Sequence, residues 1–298
     1  MIVASNIDKY YGDFRSLHDI SLTVGEGSVV GLIGSNGSGK STFLRVVSGD
    51  FRPDAGTITC DDAPIFENIT EKQKIVYLSD EQFFIPHGTI EDMRDLYASL
   101  YPAFSKEKYR KYLSVFELDD KRRINTFSKG MMKQASILLG LSCCPKYLLC
   151  DETFDGLDPV MRKLFRSILA EEMTDSGMTA VIASHNLRDL EDICDHVALL
   201  HKSELVFERE LDEVKRSIHK VQVAFNDAAT ELPASLNVIS AEWRGHLCTM
   251  TVRGAEIEVR AALDEKMPVY CEFLTPTLEE VFIAEMEDKG YDTSKFLD

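Results

Sequence analysis

The sequence predicts an α/β fold in which a strand-and-helix core is interrupted by a helical insert and followed by a small C-terminal α+β domain. Three observations carry that expectation. The run Gly34-Ser35-Asn36-Gly37-Ser38-Gly39-Lys40-Ser41 lies between an apolar stretch, Val29-Val30-Gly31-Leu32-Ile33, and a helix-forming one, Thr42-Phe43-Leu44-Arg45-Val46-Val47. Residues from about 85 to 146 lose the strand pattern and become mostly helical. Beyond about residue 216, short alternating runs return with two helical stretches among them. These changes put a first domain at 1–215, with a helical subdomain at about 85–146, and a second domain at 216–298.

Taken in order, Ile2-Val3-Ala4 and Ile20-Ser21-Leu22-Thr23-Val24 read as the first strands, and Gly56-Thr57-Ile58-Thr59-Cys60 and Ile75-Val76-Tyr77-Leu78 as the next. Thr89 caps a helix whose first turn carries Glu91 and Asp92, where negative charge suits the helix dipole. Tyr147-Leu148-Leu149-Cys150 and Ala180-Val181-Ile182-Ala183 are short apolar strands; Val197-Ala198-Leu199-Leu200 and Glu204-Leu205-Val206-Phe207 read as a terminal pair. In the second domain, Val221-Gln222-Val223-Ala224-Phe225 alternates like a half-buried strand. Val238 to Trp243 and Leu247 to Val252 pair as a hairpin around Arg244-Gly245. A helix covers 255–266, a strand Val269 to Leu274, and Thr277-Leu278-Glu279-Glu280 opens a last helix as a capping box.

Composition narrows the function. The chain has 298 residues, 44% of them hydrophobic, and a formal net charge of −17. Nucleic-acid binding needs Lys and Arg to displace counterions from phosphates, so that charge argues against it and against direct docking on an anionic lipid surface. No run approaches the ~20 apolar residues that span a bilayer. Met1 to Asn6 lacks a basic region followed by an apolar core, so no signal peptide is expected. The seven cysteines include no C-x-x-C pair and read as reduced core thiols, with a metal site as the lesser alternative.

The chemistry gathers at the glycine run, which fits G-x-x-x-x-G-K-[ST] between a strand and a helix. A loop there presents a nest of backbone N–H groups, and the helix dipole points its positive end at the same place. Lys40 is placed to reach the β- and γ-phosphates of a nucleotide, and the Ser41 hydroxyl to hold Mg²⁺. Ser35, Asn36, Gly37, Ser38, Gly39 and Thr42 complete the phosphate cradle. The strand at 147–150 ends in Asp151 and Glu152. Ligands of parallel sheets lie beyond the carboxyl ends of their strands, so Asp151 and Ser41 converge on one Mg²⁺ and Glu152 polarises the attacking water.

In their order along the chain these residues resemble the ATP-binding subunits of ATP-binding-cassette (ABC) transporters, over about residues 2 to 215. The resemblance implies a P-loop NTPase core of the ABC ATPase type, with ATP and Mg²⁺ as cofactors. Asn6-Ile7-Asp8-Lys9-Tyr10-Tyr11-Gly12 resembles the family's opening strand and aromatic loop, which implies that Tyr11 stacks on adenine. Thr126-Phe127-Ser128-Lys129-Gly130-Met131 resembles the signature motif, with Lys129 in place of the first glycine and Met131 in place of the glutamine. The Ser-Lys-Gly-Met form is familiar in the subfamily paired with ABC-2-type membrane subunits. By that likeness Ser128 and Gly130 contact the γ-phosphate held by a second subunit, Asp158 sits at the dimer seam, and His185 of Ser184-His185-Asn186 hydrogen-bonds the γ-phosphate. One position departs from the pattern. Where the family carries a metal-contacting glutamine this chain has Ser79-Asp80-Glu81-Gln82. Direct alignment offers Asp80 as the ligand, and a two-residue slip offers Gln82.

The resemblance implies an ATPase subunit at the cytoplasmic face of the cell membrane. It works as a homodimer or heterodimer and energises export through a separate transmembrane permease, of peptides or drugs. Membrane contact is expected only through that partner, and no nucleic acid. The alternatives are a soluble ABC ATPase acting on ribosomes or DNA, and a catalytically weak nucleotide-binding regulatory module.

Overall fold

Val29–Ile33 is buried at every residue, as expected of a strand covered on both faces, and the rest of the core is arranged around it. The computed structural model describes residues 1–227 and 231–288, leaving out the side chains of Lys215 and Asp288. In chain order the elements are β1 Ile2–Tyr11, β2 Phe14–Val24, β3 Val29–Ile33, α1 Lys40–Val47, β4 Ala55–Cys60, β5 Ala63–Pro64, α2 Ile69–Lys72 and β6 Ile75–Leu78. There follow α3 Ile90–Leu100, α4 Lys106–Val115, α5 Lys129–Ser142, β7 Tyr147–Asp151, α6 Pro159–Ser176, β8 Thr179–Ser184, α7 Leu187–Glu191, β9 His196–His201 and β10 Glu204–Glu210. The last set is α8 Leu211–Ser217, β11 Ile218–Ala224, β12 Asn237–Arg244, β13 Leu247–Arg253, α9 Glu256–Asp264, β14 Tyr270–Leu274 and α10 Leu278–Asp288.

The chain divides into two compact units, Met1–Glu208 and Arg209–Asp298. In the first, a six-stranded sheet runs in the order β10-β9-β3-β8-β7-β6, with β3, β6, β7, β8 and β9 parallel where they pair. This order brings the carboxyl ends of β3, β7 and β8 side by side. Ile33 lies beside Ser184 and Asp151 beside Ala183. A second sheet, β2-β1-β4-β5, packs apolar side chains such as Ile7, Leu17 and Ile20 into the same core as Phe43 and Leu44 of α1. α3, α4 and α5 form the insert between β6 and β7. α3 opens with a complete capping box between Thr89 and Asp92. α6, 18 residues long, was not foreseen, and β2 is longer than its sequence signal.

The second unit is a four-stranded antiparallel sheet in the order β12-β13-β11-β14, with Val221, Val223, Met250 and Val259 in its core. The hairpin turns at Gly245 and His246, where Arg244 pairs with Leu247. The capping box of α10 joins Thr277 and Glu280 in both directions, at 2.9 and 3.2 Å. All seven cysteines are thiols and most are buried. Cys60 lies near Asp61 and Glu71, but Lys74 Nζ stands 3.1 Å from Asp61 and 2.6 Å from Glu71, so an ammonium already balances those carboxylates. No helix among the described residues is long and apolar enough to cross a membrane.

Candidate active site

The loop between β3 and α1 folds as its glycines require. Gly39 has φ 108°, and a Cβ there would lie 2.6 Å from the Ser16 carbonyl, so no side chain fits. A Cβ at Gly34 would meet the Leu200 carbonyl at 2.3 Å. Ser35 accepts from the Ser38 N–H at 3.1 Å through its carbonyl, while Asn36 and Gly37 form the exposed tip. Ser38 is 2% exposed and its hydroxyl has no hydrogen-bond partner, an uncommon condition for a buried polar atom. A phosphate oxygen seated in the loop supplies that partner, so the cradle fits the anion its sequence implies.

Lys40, 5% exposed, donates to the Gly34 carbonyl at 2.7 Å and the Ser35 carbonyl at 3.2 Å, and lies 3.6 Å from Glu152 Oε1. Burial lowers its pKa from 10.5, against the opposing pull of Glu152, Asp151 and Asp155. Ser41 Oγ donates to Asp151 Oδ1 at 3.0 Å. Two hard oxygen donors at that spacing, one of them a carboxylate 2% exposed, suit Mg²⁺. The other oxygen, Asp151 Oδ2, accepts from the Tyr77 hydroxyl at 2.8 Å. Burial, with Asp151 beside it, pushes the Tyr77 pKa upward, so the phenol keeps its proton and stays a donor. Sequence reasoning missed Tyr77. Its only signal was its place on β6, next to β7, where Tyr77 registers with Leu149.

Glu152 has φ 46°, a left-handed conformation rare for a residue with a Cβ. Its N–H donates to the Ala183 carbonyl at 3.0 Å, which ties it to β8. Its Oε2 accepts from His185 Nδ1 at 2.9 Å and from the His185 N–H at 3.3 Å. A carboxylate can only accept, so the Nδ1 atom carries the proton. Tyr11 is 45% exposed, with its hydroxyl 3.4 Å from Thr42 Oγ1 and its ring edge-on to Phe51. Thr42 Oγ1 also accepts from Ser16 Oγ at 2.9 Å.

The structure thus gathers Ser35, Ser38, Lys40, Ser41, Thr42, Tyr11, Asp151, Glu152 and His185 around the carboxyl ends of β3, β7 and β8. Among the described residues, no hydrogen bond or ion pair joins Ser128, Gly130 or Asp158 to that loop. Ser128 caps α5 by accepting from the Met131 N–H, and Asp158 caps α6 by accepting from Val160 and Met161. A Cβ at Gly130 would lie 3.2 Å from the Gly156 carbonyl, which places the start of α5 against the loop before α6. Among the described residues, no hydrogen bond or ion pair joins Asp80 to Ser41 or Asp151. Its Oδ1 lies 3.2 Å from Lys133 Nζ, and Gln82 folds back to donate to the Asp80 carbonyl at 3.0 Å.

A parallel sheet that delivers a glycine loop, an acidic strand end and a histidine to one point, with a helical insert between the two motifs, defines a nucleotide-hydrolysing cassette. The sequence model of the family described as ABC transporter matches residues 17–155. The ABC transporter ATP-binding protein YtrB of Bacillus subtilis (strain 168) is 30% identical over 289 residues, 97% of this chain and 99% of that protein. The bacitracin transport ATP-binding protein BcrA of Bacillus licheniformis is 27% identical over 74% of this chain and 73% of its own length. A solved ATP-binding subunit of an ABC transporter superposes with a TM-score of 0.67 at 25% identity, covering 72% of this chain and 92% of that one. The chain belongs to the ATP-binding subunits of ABC transporters. It binds ATP with Mg²⁺ and hydrolyses it. The metal supplies charge neutralisation on the phosphate oxygens.

Proposed function

We propose that this chain energises export by a separate membrane-spanning partner of the ABC-2 type, carrying peptides or lipophilic drugs, from the cytoplasmic face of the membrane. Two ATPase subunits clamp two ATP molecules. In each, Tyr11 stacks on adenine and residues 35–42 cradle the phosphates. Ser41 and Asp151 hold Mg²⁺. Glu152 takes a proton from water as its oxygen attacks the γ-phosphorus. The bond from the γ-phosphorus to the bridging oxygen breaks, and ADP and phosphate leave. His185 steadies Glu152 and faces the γ-phosphate. Ser128 and Gly130 reach the γ-phosphate bound by the other subunit, and Asp158 lies at the seam.

The observation that carries this reading is the end-to-end similarity to YtrB, which spans the second unit as well as the cassette. Similarity to a bacitracin transport protein supports export and the substrate class. Coexpression with any membrane protein of about six spans encoded next to this chain tests it. A stable complex whose ATPase is stimulated by a peptide or drug is expected. Failure of any ~six-span neighbour to copurify, with turnover unaffected by membranes, overturns the exporter assignment.

A further inference from the structure

Lys133 is a buried lysine that the reaction as described above does not use. It sits on α5, 9% exposed, and its ammonium donates to the Glu152 carbonyl at 2.7 Å while lying 3.2 Å from Asp80 Oδ1. That carbonyl also accepts from the Asp155 N–H at 3.1 Å. Glu152 is therefore a residue in a costly left-handed conformation whose two flanking peptide groups are both pinned, one to β8 and one to α5. A strained backbone persists only where its surroundings over-determine it, and here the ammonium is the one charged group among those restraints.

We propose that Lys133 is the positioning residue of Glu152 and that Asp80 is the counter-charge that holds it in place. The loop after β6 and the base after β7 are joined through one ammonium. Asp80 thus acts on the chemistry through Lys133. The ammonium has the Glu152 carbonyl as acceptor and the Asp80 carboxylate as ion-pair partner, and losing the carboxylate leaves it balanced by that one carbonyl dipole. The inference rests on Glu152 being the base.

The test is a double-mutant cycle in steady-state Mg-ATPase assays on the full chain, with Glu152→Gln as reference. Lys133→Met keeps the length of the stem and removes the donor. It is expected to lower kcat by about 10- to 100-fold with the KM for ATP little changed, since the binding loop is untouched. Lys133→Arg, which keeps a donor, is expected to restore most of kcat. Asp80→Asn is expected to lower kcat less, and the double variant to be no worse than Lys133→Met alone. Thermal unfolding of each variant separates misfolding from misplacement. Native kcat in Lys133→Met, or additive losses in the double variant, overturns the proposal while leaving Glu152 as base. A raised Mg²⁺ requirement in Asp80→Asn also overturns it, because Asp80 then touches the metal. If Glu152→Gln itself keeps full turnover, it is the assignment of the base that fails.

Discussion

Lys40 shows how a single side chain is made ready for phosphate. Its stem is packed away, so the ammonium has only two carbonyls and the more distant Glu152 to balance it. Desolvation outweighs these attractions and moves its pKa below 10.5. Triphosphate brings several negative oxygens to the same ammonium and raises that pKa again. The sign follows from linkage. Between the lowered value and 10.5 the chain without ATP has partly lost a proton that the complex keeps, so binding takes up protons there and not at neutral pH. Calorimetry in two buffers of different ionisation enthalpy, at about pH 9.5 and again at about pH 7.5, reads this directly. Uptake of a fraction of a proton per ATP is expected only at the higher pH. Equal, zero uptake at both would show that phosphate does not become the partner of Lys40.

At the level of elements, the insert is strapped to the core by charge as well as by apolar packing. Lys108 and Tyr112 of α4 both donate to Glu172 of α6, and Lys111 of α4 pairs with Glu171 at 2.5 Å. Glu172 is 4% exposed, whereas the Lys108 side chain keeps 28% of its surface in water. Glu172→Ala orphans the buried Tyr112 hydroxyl but leaves Lys108 able to hydrate. A loss of about 1–3 kcal/mol in unfolding free energy is therefore expected, below the cost of breaking a fully buried pair. Urea denaturation checks it, and an unchanged midpoint would mean that apolar contacts alone hold α4. These straps join residues about sixty positions apart, and that distance separates what was legible in the sequence from what was not. The glycine loop, the acidic end of β7 and the caps at Thr89, Ser128 and Thr277 are local: neighbours in sequence dictate them. Asp158 before Pro159 and Gly177 after Ser176 are also local signals for the ends of α6. There the acidic loop motif drew attention from the helix it starts. Tyr77 beside Asp151 and Lys133 beside Glu152 arise only when β6, α5 and β7 come together. Neither pairing has a spacing that sequence could reveal.

For the whole molecule, the decisive quantity is the charge of −17. Among the described residues no hydrogen bond or ion pair joins Ser128 or Gly130 to the phosphate loop of their own chain, so a complete site in the proposed scheme needs a second copy or a related chain. Two such copies repel one another at long range, and the closed pair is held by short-range contacts across the bound nucleotide. Blocking turnover with Glu152→Gln should therefore convert the chain to a dimer in saturating ATP and Mg²⁺, as read by light scattering. Raising ionic strength from about 0.01 to 0.15 M should tighten that dimer, because the screening length falls from about 30 to 8 Å and removes repulsion between distant charges sooner than it weakens contacts at the seam. The opposite trend, a dimer loosened by salt over that range, would mean that exposed ion pairs rather than the nucleotide hold the copies together. A chain that stays monomeric under every condition does not pair with itself.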